Sequence, residues 1–498
     1  GGVQMIATLA MPSIHYLVIV PVLIFFGASL FLLIASARWR RAVPTSFTTV
    51  VSVLAAAATL VVTYCQWRDL DHHGVTTTVA HAVVLDGFSV VATAIIAVAV
   101  ALAALVAHDW ARREGVRGPE YQILALASTA GAILMTQAND LIVIFLGLEI
   151  LSLGLYVLVA IDRRKVESAE ASLKYFILGG FASAIFIYGA ALLYGATGST
   201  NISTISYFLG SNVLLRPGLL VAGGALVLVG FAFKIAAVPF HMWSPDVYEG
   251  APTPVTGFMA SIVKVGAFAA LMRVVISGLG TQLATWRPIL WGLVVLTTVV
   301  GATLAVPQRN AKRLLAYSSI NHAGFILIGV WAGTARGAAA TLFYLATYAP
   351  TVVATFAILT VMGGLGDERH SLESYRGLAR RQPWLGASLA VLLLSQLGAP
   401  LTTGFYAKYA VLAAAIDANG VALALIALLS AAIAASFYLR WTVVLYAESD
   451  DEFEATRVVV PRASAVVIGV GVVLTLLFGV WPGPLVTLAQ HATLYFIP

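Results

Sequence analysis

The chain has 498 residues, 60% of them hydrophobic and 10% charged, against roughly 25% charged in an ordinary soluble domain; with a mean hydropathy of +0.95, this excludes a soluble globular enzyme. The single cysteine, Cys65, excludes internal disulfides and cannot supply the four thiolates of an iron–sulfur cluster. No GxxxxGK[ST] and no strand-bound GxGxxG occurs, so neither an ATPase nor a nicotinamide fold is encoded, and the net charge of +6 is spread in short clusters between apolar runs, unlike a nucleic-acid-binding face.

At about 20 apolar residues per crossing plus connections, the length suits on the order of fourteen spans. Apolar runs lie at 14–36, 46–64, 88–107, 121–137, 141–160, 171–194 and 219–237, then at 255–276, 289–306, 314–331, 338–362, 384–412, 421–446 and 463–481. No lysine or arginine precedes the first run, so it reads as a retained helix rather than a secretory signal. The expected architecture is an all-α polytopic membrane protein with one membrane domain over 1–498. Helices 1–3 occupy 14–107, a five-helix repeat (helices 4–8) occupies 121–276, a second (helices 9–13) occupies 289–446, and helix 14 occupies 463–481.

Orientation follows from sorting the 28 lysines and arginines. Odd-to-even connections carry eighteen: Arg38, Arg40, Arg41, Arg112, Arg113, Arg117, Arg163, Arg164, Lys165, Arg309, Lys312, Arg313, Arg369, Arg376, Arg380, Arg381, Arg457 and Arg462. The opposite side carries Arg68, Arg216, Arg273, Arg287 and Arg336. The positive-inside bias places the odd-to-even connections in the cytoplasm and both termini outside.

Two helices read as discontinuous. The seventh run stops at Pro239 and continues as PFHMWSPDVYEGAPTP, too polar and proline-rich for lipid-facing helix. The twelfth contains Gly398, Pro400 and Gly404 within QLGAPLTTGF. Interruptions at matching places in two halves point to inverted repeats and a mid-membrane transport site, and GAPTPVTGF at Gly250 is echoed by GAPLTTGF at Gly398.

Besides Arg273, near the end of the eighth run and assigned above to the connection that follows it, six charged residues fall inside apolar runs: Glu149, Lys174, Lys234, Lys264, Lys408 and Arg440. Each costs about 2.5 to 3.5 kcal/mol near a helix centre. Glu149 and Lys264 are too central to reach an interface and are expected to face the bundle interior, as proton carriers or as a static pair. Lys234 precedes the break at Pro239, where it either caps a helix C-terminus or carries protons; Lys408, after the second break, has the same two readings. Lys174 either snorkels or joins the set, and Arg440, always protonated, reads as an anchor. His322, within SSINHAGF, and His241, in the first break, are possible relays or satisfied structural histidines. No residue set has the spacing of a metal site, and Trp39, Trp67 and Trp481 read as an interfacial belt.

The stretch GFAFKIAAVPFHMWSPDVYEGAPTPVTGFMASIVKVGAF, residues 230–268, resembles the signature of the antiporter-like membrane subunits of proton-pumping NADH-quinone oxidoreductase, respiratory complex I. FLGLEILSLGLYVL from Phe145 is similar to that family's fifth helix with its glutamate, and AKRLLAYSSINHAGFILIG from Ala311 to its tenth. Lys408 is similar to the lysine of the N and L members, where M has glutamate; no long lateral helix of the L type follows the fourteenth run, and SLKYFILGG around Lys174 also looks like the N-type branch.

The resemblance implies that Glu149, Lys174, Lys234, Lys264 and Lys408 carry protons, with His241 and His322 beside them on a hydrophilic axis. It implies a translocase subunit of a bacterial inner or plasma membrane with no cofactor of its own, while FMN, iron–sulfur clusters and quinone belong to partner subunits. Its expected neighbours are the antiporter-like subunit M, the small subunit K and lipids. The mechanism expected is a driven change in the Glu149 to Lys234 distance that loads and unloads Lys234, with Lys264 passing charge toward Lys408. Two other classes remain: a subunit of a multi-subunit cation/proton antiporter or membrane-bound hydrogenase, and a non-pumping scaffold whose lysines tolerate replacement.

Overall fold

The structure is a computed structural model that describes residues 14–38, 43–116, 118–212, 217–448, 458–492 and 494. Trp39, Arg40, Arg41, Arg117, Arg216 and Arg457, used above for orientation and the belt, lie outside these residues.

A hydrocarbon environment offers the backbone no partner, so each apolar run satisfies its own N–H and C=O groups as helix. All fourteen runs fall on helices. Among the described residues, eleven helices are long and apolar enough to cross a membrane, from Tyr16–Arg38 to Arg462–Val480. The other three runs fall short for visible reasons. The fourth, Glu120–Gln137, opens on three polar or amphipathic residues. The seventh and twelfth are broken: Gly218–Lys234 is followed by Trp243–Gly250, and Pro383–Leu397 by Thr403–Asp417. Ala236 in the first break and Gly398 and Leu401 in the second take positive φ, at 57°, 95° and 65°, so the chain leaves the helix by the left-handed turn that commonly ends one.

The connections sort by parity as a fourteen-span reading requires. Residues from the 5–6, 7–8 and 11–12 connections and from the first turn of the tenth span, among them Arg164, Pro252, Asp367 and Lys312, line one cavity of about 710 Å³. At the other end the even-to-odd connections meet. The hairpin of Thr76–Thr78 with Val83–Leu85 follows the second span; Asn139 N donates to Ala82 O at 2.8 Å, and Leu141 N to Thr200 O at 2.9 Å.

The two halves repeat a close helix crossing built on small residues, the usual means of bringing membrane helices together. Between spans 4 and 5, a Cβ on Gly131 would stand 2.5 Å from Leu151 N; between spans 9 and 10, a Cβ on Gly301 would stand 2.6 Å from Asn321 N. An offset of five spans reverses the direction of every helix relative to its counterpart, which is the geometry of an inverted repeat. The interior is formed by spans 8, 10 and 11. The eighth, Thr253–Gly278, is buried over its whole apolar window, against 28% for the first span, so a charge on it has no lipid to face.

Two basic residues are not where their loop assignment put them. Arg273 is fully buried in the last turn and a half of the eighth span, because that span continues in π-helical geometry over Arg273–Gly278. Lys312 is 2% exposed in the first turn of the tenth span, beneath the folded-back 11–12 connection. Arg440 does act as an anchor, donating to Val306 O and Gln308 O, each at 2.7 Å.

Candidate functional site

The seventh span ends at Lys234 because the following turn reverses, leaving the amine deep in the bundle at 4% exposure. Its Nζ donates to Ser152 Oγ at 2.8 Å and to Tyr175 OH at 3.1 Å. Tyr175 is held from behind by Trp243, stacked at 4.7 Å and 13°, and Trp243 Nε1 donates to Phe233 O at 2.9 Å. The broken helix thus folds its second half back to wall the lysine it exposes. Glu149 lies on the fifth span one turn before Ser152. Among the described residues its Oε1 is buried without a hydrogen-bond partner, and no carboxylate comes within 4.0 Å of Lys234.

Lys264, mid-way along the eighth span and 4% exposed, donates to Ser319 O of the tenth span and lies 5.5 Å over the Tyr348 ring. Ser319 Oγ accepts from Tyr348 OH at 3.1 Å and is 3.3 Å from Tyr248 OH. His322, three residues further and 3% exposed, is bracketed by Tyr344 OH at 2.7 Å from Nδ1 and Tyr438 OH at 3.1 Å from Nε2; Tyr438 OH in turn meets Ser318 Oγ. Lys408, 7% exposed, donates at 2.7 Å to Leu397 O, an orphan carbonyl of the broken twelfth span, and lies 5.0 Å over the Phe325 ring. A second break therefore supplies Lys408 with the kind of acceptor that only a helix terminus leaves free.

These residues form a row through the bundle: Lys234 with its serine and tyrosine, Lys264 with Ser319, His322 between two tyrosines, and Lys408 at the second break. Lys174 and His241 stand apart from it. Lys174 is part-exposed, paired with Glu170 at 2.7 Å and Asp246 at 2.9 Å, and lines the 710 Å³ cavity. His241 is half-buried in the first break, its Nδ1 buried without a hydrogen-bond partner among the described residues.

Sequence reasoning missed the tyrosines that link the row, since Tyr175, Tyr248, Tyr344, Tyr348 and Tyr438 look like ordinary aromatic filling. It also missed the ion pair of Arg273 with Asp86, at 2.8 and 3.1 Å with both side chains fully buried. Asp86 caps the third span by accepting from Ser89 N at 2.8 Å, and DGFS ahead of an apolar run is the detectable half of that signal. Arg273 also donates to Thr136 O at 3.0 Å, tying spans 3, 4 and 8 together. Removing one partner of such a pair strands a buried charge. Arg273→Ala is therefore expected to destabilise the chain by about 3 to 5 kcal/mol, measured as loss of folded protein in detergent on heating, while Arg440→Ala is expected to lose far less.

Residues 138–434 match the family described as NADH:quinone oxidoreductase/Mrp antiporter, transmembrane. The chain is 44% identical over 393 residues to NADH-quinone oxidoreductase subunit N of Rhodococcus opacus, covering 78% of this chain and 72% of that one. Its structure is similar to a chain of respiratory complex I from Thermus thermophilus, with a TM-score of 0.78 and 34% identity over 94% of this chain and 99% of that one. A chain of the Mrp complex from Dietzia has the same fold, with a TM-score of 0.83 at 22% identity over 96% of each chain.

Proposed function

We propose, since this chain belongs to the NADH:quinone oxidoreductase/Mrp antiporter transmembrane family, that it is the N-type subunit of complex I and moves protons along Glu149, Lys234, Lys264 and Lys408, with His322 within the row, Lys174 at its entrance and His241 at the first break. The observation that carries this reading is how the buried lysines are held. Each donates to a neutral oxygen, of Ser152 and Tyr175, of Ser319 or of Leu397, and none has a carboxylate in contact among the described residues. A lysine kept for packing would be locked to a counter-ion, because an unpaired buried charge is costly. A lysine that must give up its proton is better served by partners that accept a hydrogen bond from either protonation state.

Glu149, with one oxygen unpartnered among the described residues, is the movable charge in this mechanism. Bringing a carboxylate toward a buried amine or withdrawing it changes the amine's hold on its proton. A change of about 2.7 kcal/mol, two pKa units, matches moving one charge through roughly 120 mV. The driving redox reaction, with FMN, iron–sulfur clusters and quinone, belongs to partner subunits, and subunits M and K are the expected neighbours. The repeats are assigned to 121–276 and 289–446, flanked by 14–107 and 463–481.

The location is a bacterial plasma membrane with both termini outside and the 710 Å³ cavity on the cytoplasmic side. Reporter insertions after Thr200 and after Arg376 are expected to give opposite sides, with Arg376 cytoplasmic; the same side for both overturns the span count. The deciding experiment for function is proton translocation by the assembled complex carrying Lys234 variants, argued in the Discussion.

A further inference from the structure

Beneath the cytoplasmic cavity lies a second group of buried ionisable side chains that the row above does not use. The 11–12 connection folds back over the N-terminus of the eighth span, where Asp367 accepts from Thr253 N at 2.9 Å and from Thr253 Oγ at 2.7 Å. His370 Nε2 is 3.1 Å from the same carboxylate, and Lys312 Nζ is 3.8 Å from it while donating to Ala251 O at 2.5 Å. Asp367 and His370 are each 6% exposed, yet Lys312 and Asp367 contribute to the cavity wall. His370 Nδ1 is buried with no hydrogen-bond partner among the described residues.

We propose that His370, Asp367 and Lys312 form a proton-uptake site between the cytoplasmic cavity and the eighth span, with His370 Nδ1 as the proton acceptor and Asp367 as the counter-ion that His370 and Lys312 share. The inference rests on the translocation reading above and deepens it by naming where protons enter.

The tautomer follows from the contacts. An ionised carboxylate can only accept, so Nε2 carries the hydrogen it gives to Asp367 and the lone pair sits on Nδ1. Burial alone would raise the Asp367 carboxyl, but Lys312, His370 and Thr253 together hold it well below the usual carboxylate range. Burial lowers His370, and the Lys312 charge lowers it further, against the Asp367 contact that raises it. His370 is thus a neutral ring beside a permanent anion. A proton arriving from the cavity binds at Nδ1 and makes an imidazolium, Asp367 stabilises it in competition with Lys312, and loss of that proton inward restores the neutral ring.

Other charges around the group are fixed. Lys165 Nζ donates to Asp367 O at 3.2 Å, Glu249 and Lys165 both act on Lys312, and the Asp367 charge acts on the buried Tyr375 hydroxyl. Glu114 is engaged with Gly366 N, at 3.1 and 3.2 Å, and with Arg113 and Arg164.

The location suits delivery to the row. Thr253, which contacts Asp367, begins the span that carries Lys264. Lys312 and Ser319, the acceptor of Lys264, are seven residues apart on one face of the tenth span, roughly 10 Å at 1.5 Å per residue. Tyr248, whose hydroxyl faces Ser319 Oγ, lies between the two levels and accepts at its carbonyl from Thr256 Oγ at 3.1 Å.

The test is proton translocation by the assembled complex in membrane vesicles, as a function of cytoplasmic-side pH and normalised to NADH oxidation. His370→Gln keeps a donor for Asp367 but cannot take up a proton. It is expected to lose about tenfold in translocation near pH 8, where protons are scarce, and far less near pH 6. Lys312→Met removes the competing cation, so His370 holds its proton more tightly and the fall of translocation with rising pH moves up by about one unit. A purely structural clamp predicts losses independent of pH. If His370→Gln does not assemble, the Lys312→Met profile decides alone. Wild-type profiles in the variants that assemble, alongside a Lys234→Ala that has lost translocation, overturn this site and leave the wider reading intact. An unimpaired Lys234→Ala overturns both.

Discussion

Lys234→Ala is expected to cut proton translocation by at least roughly tenfold, 1.4 kcal/mol or more of lost coupling, while electron transfer from NADH to an artificial acceptor continues. The surroundings of Lys234 make the measurement clean. Ser152 Oγ also donates to Leu148 O at 2.5 Å, and Tyr175 is stacked on Trp243, so both hydrogen-bond partners of the amine keep a contact when it is removed. Lys234→Arg separates the two readings of the position. A lysine kept for its charge would be replaced by arginine with little loss, whereas a carrier would fail, because guanidinium does not release its proton near neutral pH. Translocation at wild-type level in the arginine variant, normalised to assembled complex, would establish a structural lysine and sink the mechanism.

The span pattern was readable from the chain because hydrocarbon imposes one rule on every residue at once: backbone groups pair internally, so runs become helices and interruptions become breaks. The same rule exposed Glu149, Lys264 and Lys408, since a charge in an apolar run is conspicuous by its cost. What holds each of them was not readable. Ser152, Tyr175 and Ser319 are unremarkable in sequence, and Leu397 matters only through a carbonyl. Connections gave still less. Asp367 and His370, in GDERHS, look like solvated loop, and their burial comes from the fold-back of that segment onto Thr253, a long-range contact that no local periodicity encodes. Lys312 and Arg273 went astray in the same way: each stands near a helix end, where sequence cannot distinguish an interface from an interior.

Glu149→Gln is the change on which the mechanism depends most directly. Glu149 Oε1 has no hydrogen-bond partner among the described residues, so an amide there costs the fold little and the complex is expected to assemble. Translocation is nonetheless expected to fall by roughly tenfold or more, because a neutral amide cannot vary the hold of Lys234 on its proton by charge. Relocating the carboxylate tests whether distance is what matters. Leu153, one turn on, is 54% exposed on the outside of the bundle, so it is the wrong host. Ser152 already touches Lys234 Nζ. In Glu149→Ala with Ser152→Glu, the acid becomes a contact partner of the lysine and holds it permanently protonated. A static pair that only fixes packing would be satisfied by this arrangement, and translocation would return with assembly. A carrier that must be loaded and unloaded would be locked instead, so the expected result is a well-assembled complex that does not translocate. Restored pumping in that double variant, or undiminished pumping in Glu149→Gln alone, would show that Lys234 needs no mobile carboxylate.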